Sequence, residues 1–130
     1  MNRAQYEADI CRRLRQAEPV PFNRVMIGGL SPLVAKCHDN VDAYVKTNPT
    51  CAAARGWMTY ADFIIAVGLT AHSVVEGPDG VLFDITPLED EKQRDWMRFV
   101  RHNGDDKSFD AMKSLNIFIE CPQTGDGEVS

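Results

Sequence analysis

Residues 76–80, EGPDG, stand between two runs of strand-forming residues, HSVVE at 72–76 and VLFDI at 81–85. A Pro-Asp-Gly turn between such runs predicts an antiparallel hairpin, because Pro presets one turn dihedral and Gly80 can take a positive φ. The chain therefore has to contain an antiparallel sheet. His72 and Asp84 are twelve residues apart and have the same parity, so a tight closure around Pro78 and Asp79 sets them opposite or nearly so. Their side chains then share one face unless a bulge intervenes.

The flanking segments fill in an α+β layout. RAQYEADICRRLRQ at 3–16 places Tyr6, Ile10 and Leu14 at i, i+4, i+8, an amphipathic helix ended by Pro19 and Pro21. From Pro19 to Pro32 the prolines and Gly28-Gly29 leave room for a short extended piece around Arg24–Ile27, an ordered connection long enough to run across a site. The next helix has two possible starts. With Ser31 as cap and Pro32 as first helical residue, Cys37 is mid-helix and in the core. If the chain stays extended to Ala35, the helix begins near Lys36 or Cys37 with Asp39 in its first turn. GWMTY at 56–60 and DFIIAVGL at 62–69 read as further strands. Thr86-Pro87-Leu88-Glu89 reads as a capping box opening a helix that turns Trp96, Phe99 and Val100 inward and stops at Asn103-Gly104. His102 then falls in its last turn, where a cation is favoured. Ser108 caps one more short helix, NIFIE at 116–120 is a last strand, and 122–130 is a frayed tail. Residues 1–130 are expected to form a single domain.

Charge and cysteine usage narrow the function. The net charge of -5 weighs against nucleic acid as a partner, and CRRLR at 11–15 shares its helix with Glu7, Asp9 and Glu18, which makes it a solvated face. No apolar stretch approaches a membrane span, and MNRAQYEAD lacks the apolar core of a signal peptide. A cytoplasmic protein with no membrane association is expected. Cysteines 11, 37, 51 and 121 lack CxxC or CxxH pairing and should mostly be free thiols. No cofactor is implied. Cys37, His38, His72 and Asp84 are a conceivable zinc ligand set, but their spacing matches no familiar closed site, so no metal is expected.

A cysteine nucleophile needs a base to take its proton and a third group to fix the base's ring. Cys37 on a helix, His72 on a strand and Asp84 on the paired strand are one economical set. CHDNV at 37–41, GW at 56–57, AHSVV at 71–75 and GVLFDITP at 80–87 resemble a pattern in small bacterial and phage proteins. That pattern is Cys-x-x-Asn, Gly-aromatic, a strand His, then Gly-x-x-x-Asp-x-Thr. Its element order is similar to the transglutaminase-like and papain-like cysteine-enzyme folds, which implies an antiparallel sheet with the Cys-bearing helix packed on it. On the resemblance Cys37 is the nucleophile, His72 the base and Asp84 the orienting carboxylate. No glutamine precedes Cys37 at the spacing papain-like proteases use. The Cys37 backbone N–H is one candidate oxyanion donor, and Asn23, in the long connection, is a second.

Each residue also has a plainer reading. Cys37 fits an apolar stripe, and free cysteine is among the most buried residue types. His72 fits a half-buried strand position, and Asp84 can bond the backbone next to Thr86. Adjacent helical residues point about 100° apart, so His38 is a poor base for Cys37 and rims the site or faces solvent. Asn40, three residues on, can brace the loop before the helix. Trp57 is core or lines a cleft, as the resemblance suggests. Two functions remain. One is a cysteine-dependent acyl-transfer enzyme, hydrolase or transferase, acting on an amide, thioester or isopeptide in an acyl or peptide-like substrate. The other is a non-enzymatic accessory or interaction protein that retains the fold. In either case the acidic balance predicts no appreciable DNA or RNA binding at physiological salt, and salt-sensitive retardation of either nucleic acid in a mobility assay would contradict it.

Overall fold

Asn2 opens the first helix by reciprocal capping: its side chain accepts the Gln5 N–H and its own N–H donates to the Gln5 side chain. The computed structural model describes residues 2–123. The chain is α+β, with an antiparallel sheet and three helices. In order these are α1 (Arg3–Leu14), α2 (Cys37–Thr47), β1 (Ala52–Asp62), β2 (Ala66–Glu76), β3 (Leu82–Phe83), β4 (Phe99–Arg101), α3 (Asp106–Leu115) and β5 (Ile119–Pro122). The sequence reading expects one domain over 1–130; the described residues group into two compact units, 2–18 with 56–71 and 98–123, and 19–55 with 72–97. β1 and β2 each contribute residues to both.

In the first unit α1 buries Tyr6 and Ile10 in a core with Trp57, Leu69, Val100, Phe109, Ile119 and Cys121. β4 pairs with β1, setting Val100 opposite Trp57, and β5 pairs with β2, setting Ile119 opposite Leu69. Arg12 and Arg13 both pair with Asp9, so the basic cluster is a partly neutralised helix face. Cys11 and Cys121 form a disulfide, which corrects the expectation for these two of the four cysteines. The pairing joins α1 to the last strand, 110 residues apart in sequence, and no spacing rule signals such a pair.

Two element assignments also change. DFIIAVGL is not one strand. β1 runs on to Asp62, and Phe63–Ile65 form the turn, in which Ile64 has φ 78° and donates its N–H to the Asp62 carboxylate. β2 then takes AVGL and HSVVE into one strand, and at Gly68 a Cβ would lie 2.8 Å from the Tyr60 ring, so a side chain there would have to displace that ring. The helix expected over 86–102 is absent. Phe99 and Val100 instead pair with Met58 and Trp57, and only Glu91–Asp95 coil, as a 3₁₀ turn. Strand pairing outweighed the local capping signal. His102 is consequently no helix-end cation. It is buried, its Nδ1 2.7 Å from the Tyr6 hydroxyl and its Nε2 2.7 Å from Ser108 Oγ, and burial pushes its pKa down against the pull of Asp105. Asp105, not Ser108, caps α3. Of the expected tail, Pro122 ends β5 and Gln123 donates its N–H to the Ile65 carbonyl, while 124–130 lie outside the described residues.

In the second unit β2 and β3 form the predicted hairpin. Gly77 donates to Val81, Gly80 donates to Gly77, and Gly80 takes φ 84°. The register pairs Val75 with Phe83 and Glu76 with Leu82. This register is shifted by two residues from one that sets His72 directly opposite Asp84, so extending it brings Thr86, not Asp84, opposite His72. An even slip keeps parity, and Asp84 reaches His72 on the diagonal, about 7–8 Å between backbones and within reach of these side chains. α2 packs through Val41 against Val75 and Ile85, with Tyr44 and Val45 at the margin. Val41→Ala should cost about 1–3 kcal/mol in denaturant unfolding through the cavity it leaves. Opening the Cys11–Cys121 bridge by Cys11→Ser should cost about 2–4 kcal/mol, mainly by freeing the unfolded chain.

Candidate active site

Cys37 is the first residue of α2, the later of the two starts that the periodicity allowed. Asn40 explains the choice. Its carboxamide oxygen accepts the Leu33 N–H at 3.2 Å, and its nitrogen donates to the Leu33 carbonyl at 2.8 Å and to Thr86 Oγ1 at 3.0 Å. Leu33 is thus held outside the helix, and Ala35, at φ 65°, turns the chain so that helical geometry begins only at Cys37. Asn40 braces the loop as its spacing suggested, and its amide is spent on that task. With Cys37 at the first position, its N–H and those of the next two residues have no intrahelical acceptor, and the positive end of the helix dipole lies at the sulfur's base.

Asp84 organises the opposite side of the site. It is fully buried and accepts three hydrogen bonds, from His72 Nε2 at 3.0 Å and Arg94 Nη1 at 2.7 Å on one oxygen and from the Thr86 N–H at 3.1 Å on the other. Its backbone is held too: its N–H donates to the Pro21 carbonyl, and its carbonyl accepts the Asn23 N–H. The connection after α1 therefore crosses the site as its length suggested. Asn23 itself is exposed and contributes its backbone N–H to the Asp84 carbonyl at 2.9 Å.

With Nε2 engaged by Asp84, His72 has Nδ1 left for the thiol. Burial of His72 favours the neutral ring, yet the bonds to Asp84 and Cys37 and their negative charges raise its pKa to about 9. Burial likewise favours the neutral thiol, yet hydrogen bonds from His38 and His72 and the charge of His72 lower the Cys37 pKa to about 5. Burial pushes the Asp84 carboxyl up, but His72, the Thr86 N–H and Arg94 bring it below the usual range. The three shifts describe one arrangement, a thiolate beside an imidazolium beside a carboxylate.

His38 is half-buried at the edge of the site. It hydrogen-bonds the Cys37 thiol, and its Nδ1 lies 2.6 Å from Ser73 Oγ, which also accepts from Arg55 Nη1 at 2.9 Å. Trp57 lines no cleft: it is 0% exposed, within the first unit's core, and donates to the Tyr6 hydroxyl. Sequence reasoning missed Arg94, Ser73 and Arg55. Arg94 binds Asp84, Glu91 and the Thr86 carbonyl and lies 4.6 Å over the Phe22 ring, but it sits in an irregular segment where no motif marks it. Ser73 was legible in part, since it adjoins His72 and parity puts it on the other face. A pocket of about 220 Å³ in the same unit is lined by Phe22, Val25, Pro32, Ile85 and Leu88, with Arg24 and Glu91 as its charged residues. Among the described residues no group of three or more His, Cys, Asp or Glu is placed to hold a metal ion. The chain matches no protein-family model, no curated protein and no solved structure.

The pKa shifts imply a pH profile for stability. The folded Cys37 value, about 5, lies below the ordinary 9.0, so its contribution is complete above that range and is lost as pH falls through about 5. The folded His72 value, about 9, lies above the ordinary 6.5, so its contribution is complete below 6.5 and is lost as pH rises through about 9. From these two groups, stability should rise between pH 5 and 6.5 and then stay level to about 9, where the opposing slopes cancel. Thermal melts across this range test it, with Cys37→Ser expected to lose the rise.

Proposed function

We propose that the protein is a cysteine-dependent acyl-transfer enzyme, a hydrolase or transferase of the papain-like or transglutaminase-like kind, in which Cys37 is the nucleophile, His72 the acid–base group and Asp84 its orienting carboxylate. The observation that carries this reading is the thiol at the start of α2 held ionised beside an imidazole whose far nitrogen is 3.0 Å from a buried carboxylate. Ionisation near pH 7 and a fixed ring are what covalent acyl transfer asks of such a pair.

In the reaction the Cys37 sulfur attacks the carbonyl carbon of an amide, thioester or isopeptide, and the carbonyl π pair moves onto oxygen. The Cys37 backbone N–H, at the first position of α2, is a donor available to that oxyanion. Collapse re-forms the carbonyl and breaks the bond to the leaving group, which takes the His72 proton. The neutral ring then accepts a proton from water or an amine as it attacks the thioester, and Cys37 is released as thiolate.

The reading as an interaction protein draws on a different feature. Ile64 is 82% and Ile117 90% exposed, and between them Tyr60 meets Phe63 and Phe118 at ring distances of 6.3 and 6.2 Å. Apolar groups exposed together favour a partner surface. As for location, no helix among the described residues is long and apolar enough to cross a membrane. The cytoplasmic placement belongs to this proposal, and the Cys11–Cys121 bridge weighs against it, because such bridges persist mainly in oxidising compartments.

Iodoacetamide at pH 6, followed by peptide mass spectrometry, separates the readings. Cys37 should be alkylated well before Cys51, and His72→Ala should slow its reaction by about tenfold or more. Incubation with an aryl thioester should leave an acyl group on Cys37. A Cys37 that reacts only in the ordinary thiol range and never carries the acyl group would leave the interaction reading standing.

A further inference from the structure

Two imidazoles bond the Cys37 sulfur, and only one of them is used above. His72 is tied to a carboxylate. His38 is tied to a hydroxyl, and the hydroxyl's surroundings settle where the His38 proton sits.

Ser73 is completely buried, and its Oγ has two partners among the described residues, Arg55 Nη1 at 2.9 Å and His38 Nδ1 at 2.6 Å. A guanidinium can only donate. The Ser73 oxygen therefore accepts from Arg55, and its own hydrogen, which must find an acceptor in the interior, has only His38 Nδ1. Arg55 is held in turn by Asp42 Oδ1 at 2.6 Å, so the relay is anchored outside the site. With its Nδ1 lone pair occupied, the neutral His38 ring must carry its proton on Nε2.

We infer that His38 is a second catalytic histidine, a fixed hydrogen-bond donor to the Cys37 sulfur whose tautomer is set by the relay Asp42–Arg55–Ser73. The inference rests on the acyl-transfer reading and divides the labour within it. His72 moves the proton, passing it to the leaving group and recovering it from water or amine. His38 transfers none, because the nitrogen that would have to act as base already accepts from Ser73. It keeps the sulfur ionised before attack and after release. Ser73 and Arg55 are positioning residues acting through it. The arrangement also explains how a residue adjacent to the nucleophile on a helix can serve it: the buried hydroxyl on β2 draws the ring across the 100° offset.

The experiment is the pH profile of Cys37 alkylation by iodoacetamide in the full chain, across variants. His38→Leu should move the midpoint up by about one pH unit, the worth of one hydrogen bond to a charged group. His38→Gln, whose amide N–H can replace Nε2–H, should return most of that shift. Ser73→Ala should move the midpoint in the same direction by less, and Ser73→Thr should restore it. Nitrogen NMR of labelled histidine should show His38 Nδ1 unprotonated and Nε2 protonated, a signature that a purely structural Ser73 would not produce and that does not depend on any variant folding. The opposite tautomer, or unchanged midpoints in both His38→Leu and Ser73→Ala while His72→Ala raises its own, would overturn the second donor and leave the His72 chemistry intact. A wild-type midpoint in the ordinary thiol range would instead remove the acyl-transfer reading itself.

Discussion

A carboxylate with no exposed surface is the constraint on which the second unit depends. Removing a charge from water costs several kcal/mol unless it is paired and hydrogen-bonded, and Asp84 is tolerated because His72, Arg94 and the Thr86 N–H together meet both oxygens. Each of these partners fixes a different piece of chain. His72 orients β2, Thr86 turns the backbone away from a helix, and Arg94 ties down the irregular segment after it. The main chain of Asp84 holds Pro21 and Asn23 as well. Fold and site are therefore one problem in this unit, since the residue that orients the histidine also orders the loops around it.

The two buried histidines show how partners decide chemistry. His102 and His72 are both taken out of water, which by itself favours a neutral ring. His102 meets a phenol and a serine hydroxyl, neither charged, and its pKa falls. His72 meets a carboxylate and an acidic thiol, and its pKa rises despite equal burial. The first ring serves as a packing and hydrogen-bonding element among Tyr6, Trp57 and Phe109, and the second is held in its protonated form by its charged partners. Around Cys37 the same balance appears in charge. Thiolate and carboxylate face imidazolium and guanidinium, so the cluster holds its ions without a large net field.

The hairpin, α1 and the α2 periodicity were legible in the sequence because each rests on local rules. EGPDG supplies its own turn geometry, and the spacings of Tyr6 with Ile10 and of Cys37 with Val41 name the faces that pack. The contact of His72 with Asp84 was legible for the same reason. His72 and Asp84 have equal parity, and parity survives the two-residue shift from a directly opposed register, so the pair meets on the diagonal. Where local rules competed, sequence reasoning failed. Thr86-Pro87-Leu88-Glu89 carries a helix-start pattern, but the Thr86 N–H is claimed by Asp84 and Phe99-Val100 by β1, and neither claim can be seen within the segment.

What remained was decided between residues far apart in the chain. The start of α2 was undetermined by periodicity and settled by Asn40 reaching back to Leu33 and across to Thr86. Cys11 and Cys121 carry no signal for each other until α1 packs on β5. Arg94 acquires a role only beside Asp84, and Ser73 and Arg55 become a relay only because β1 and β2 bring them to His38. Residue types and their local periods set which side chains could face one another. Which of them do, and therefore which protons are held and which are free to move, depends on long-range contacts whose partners are not encoded by spacing.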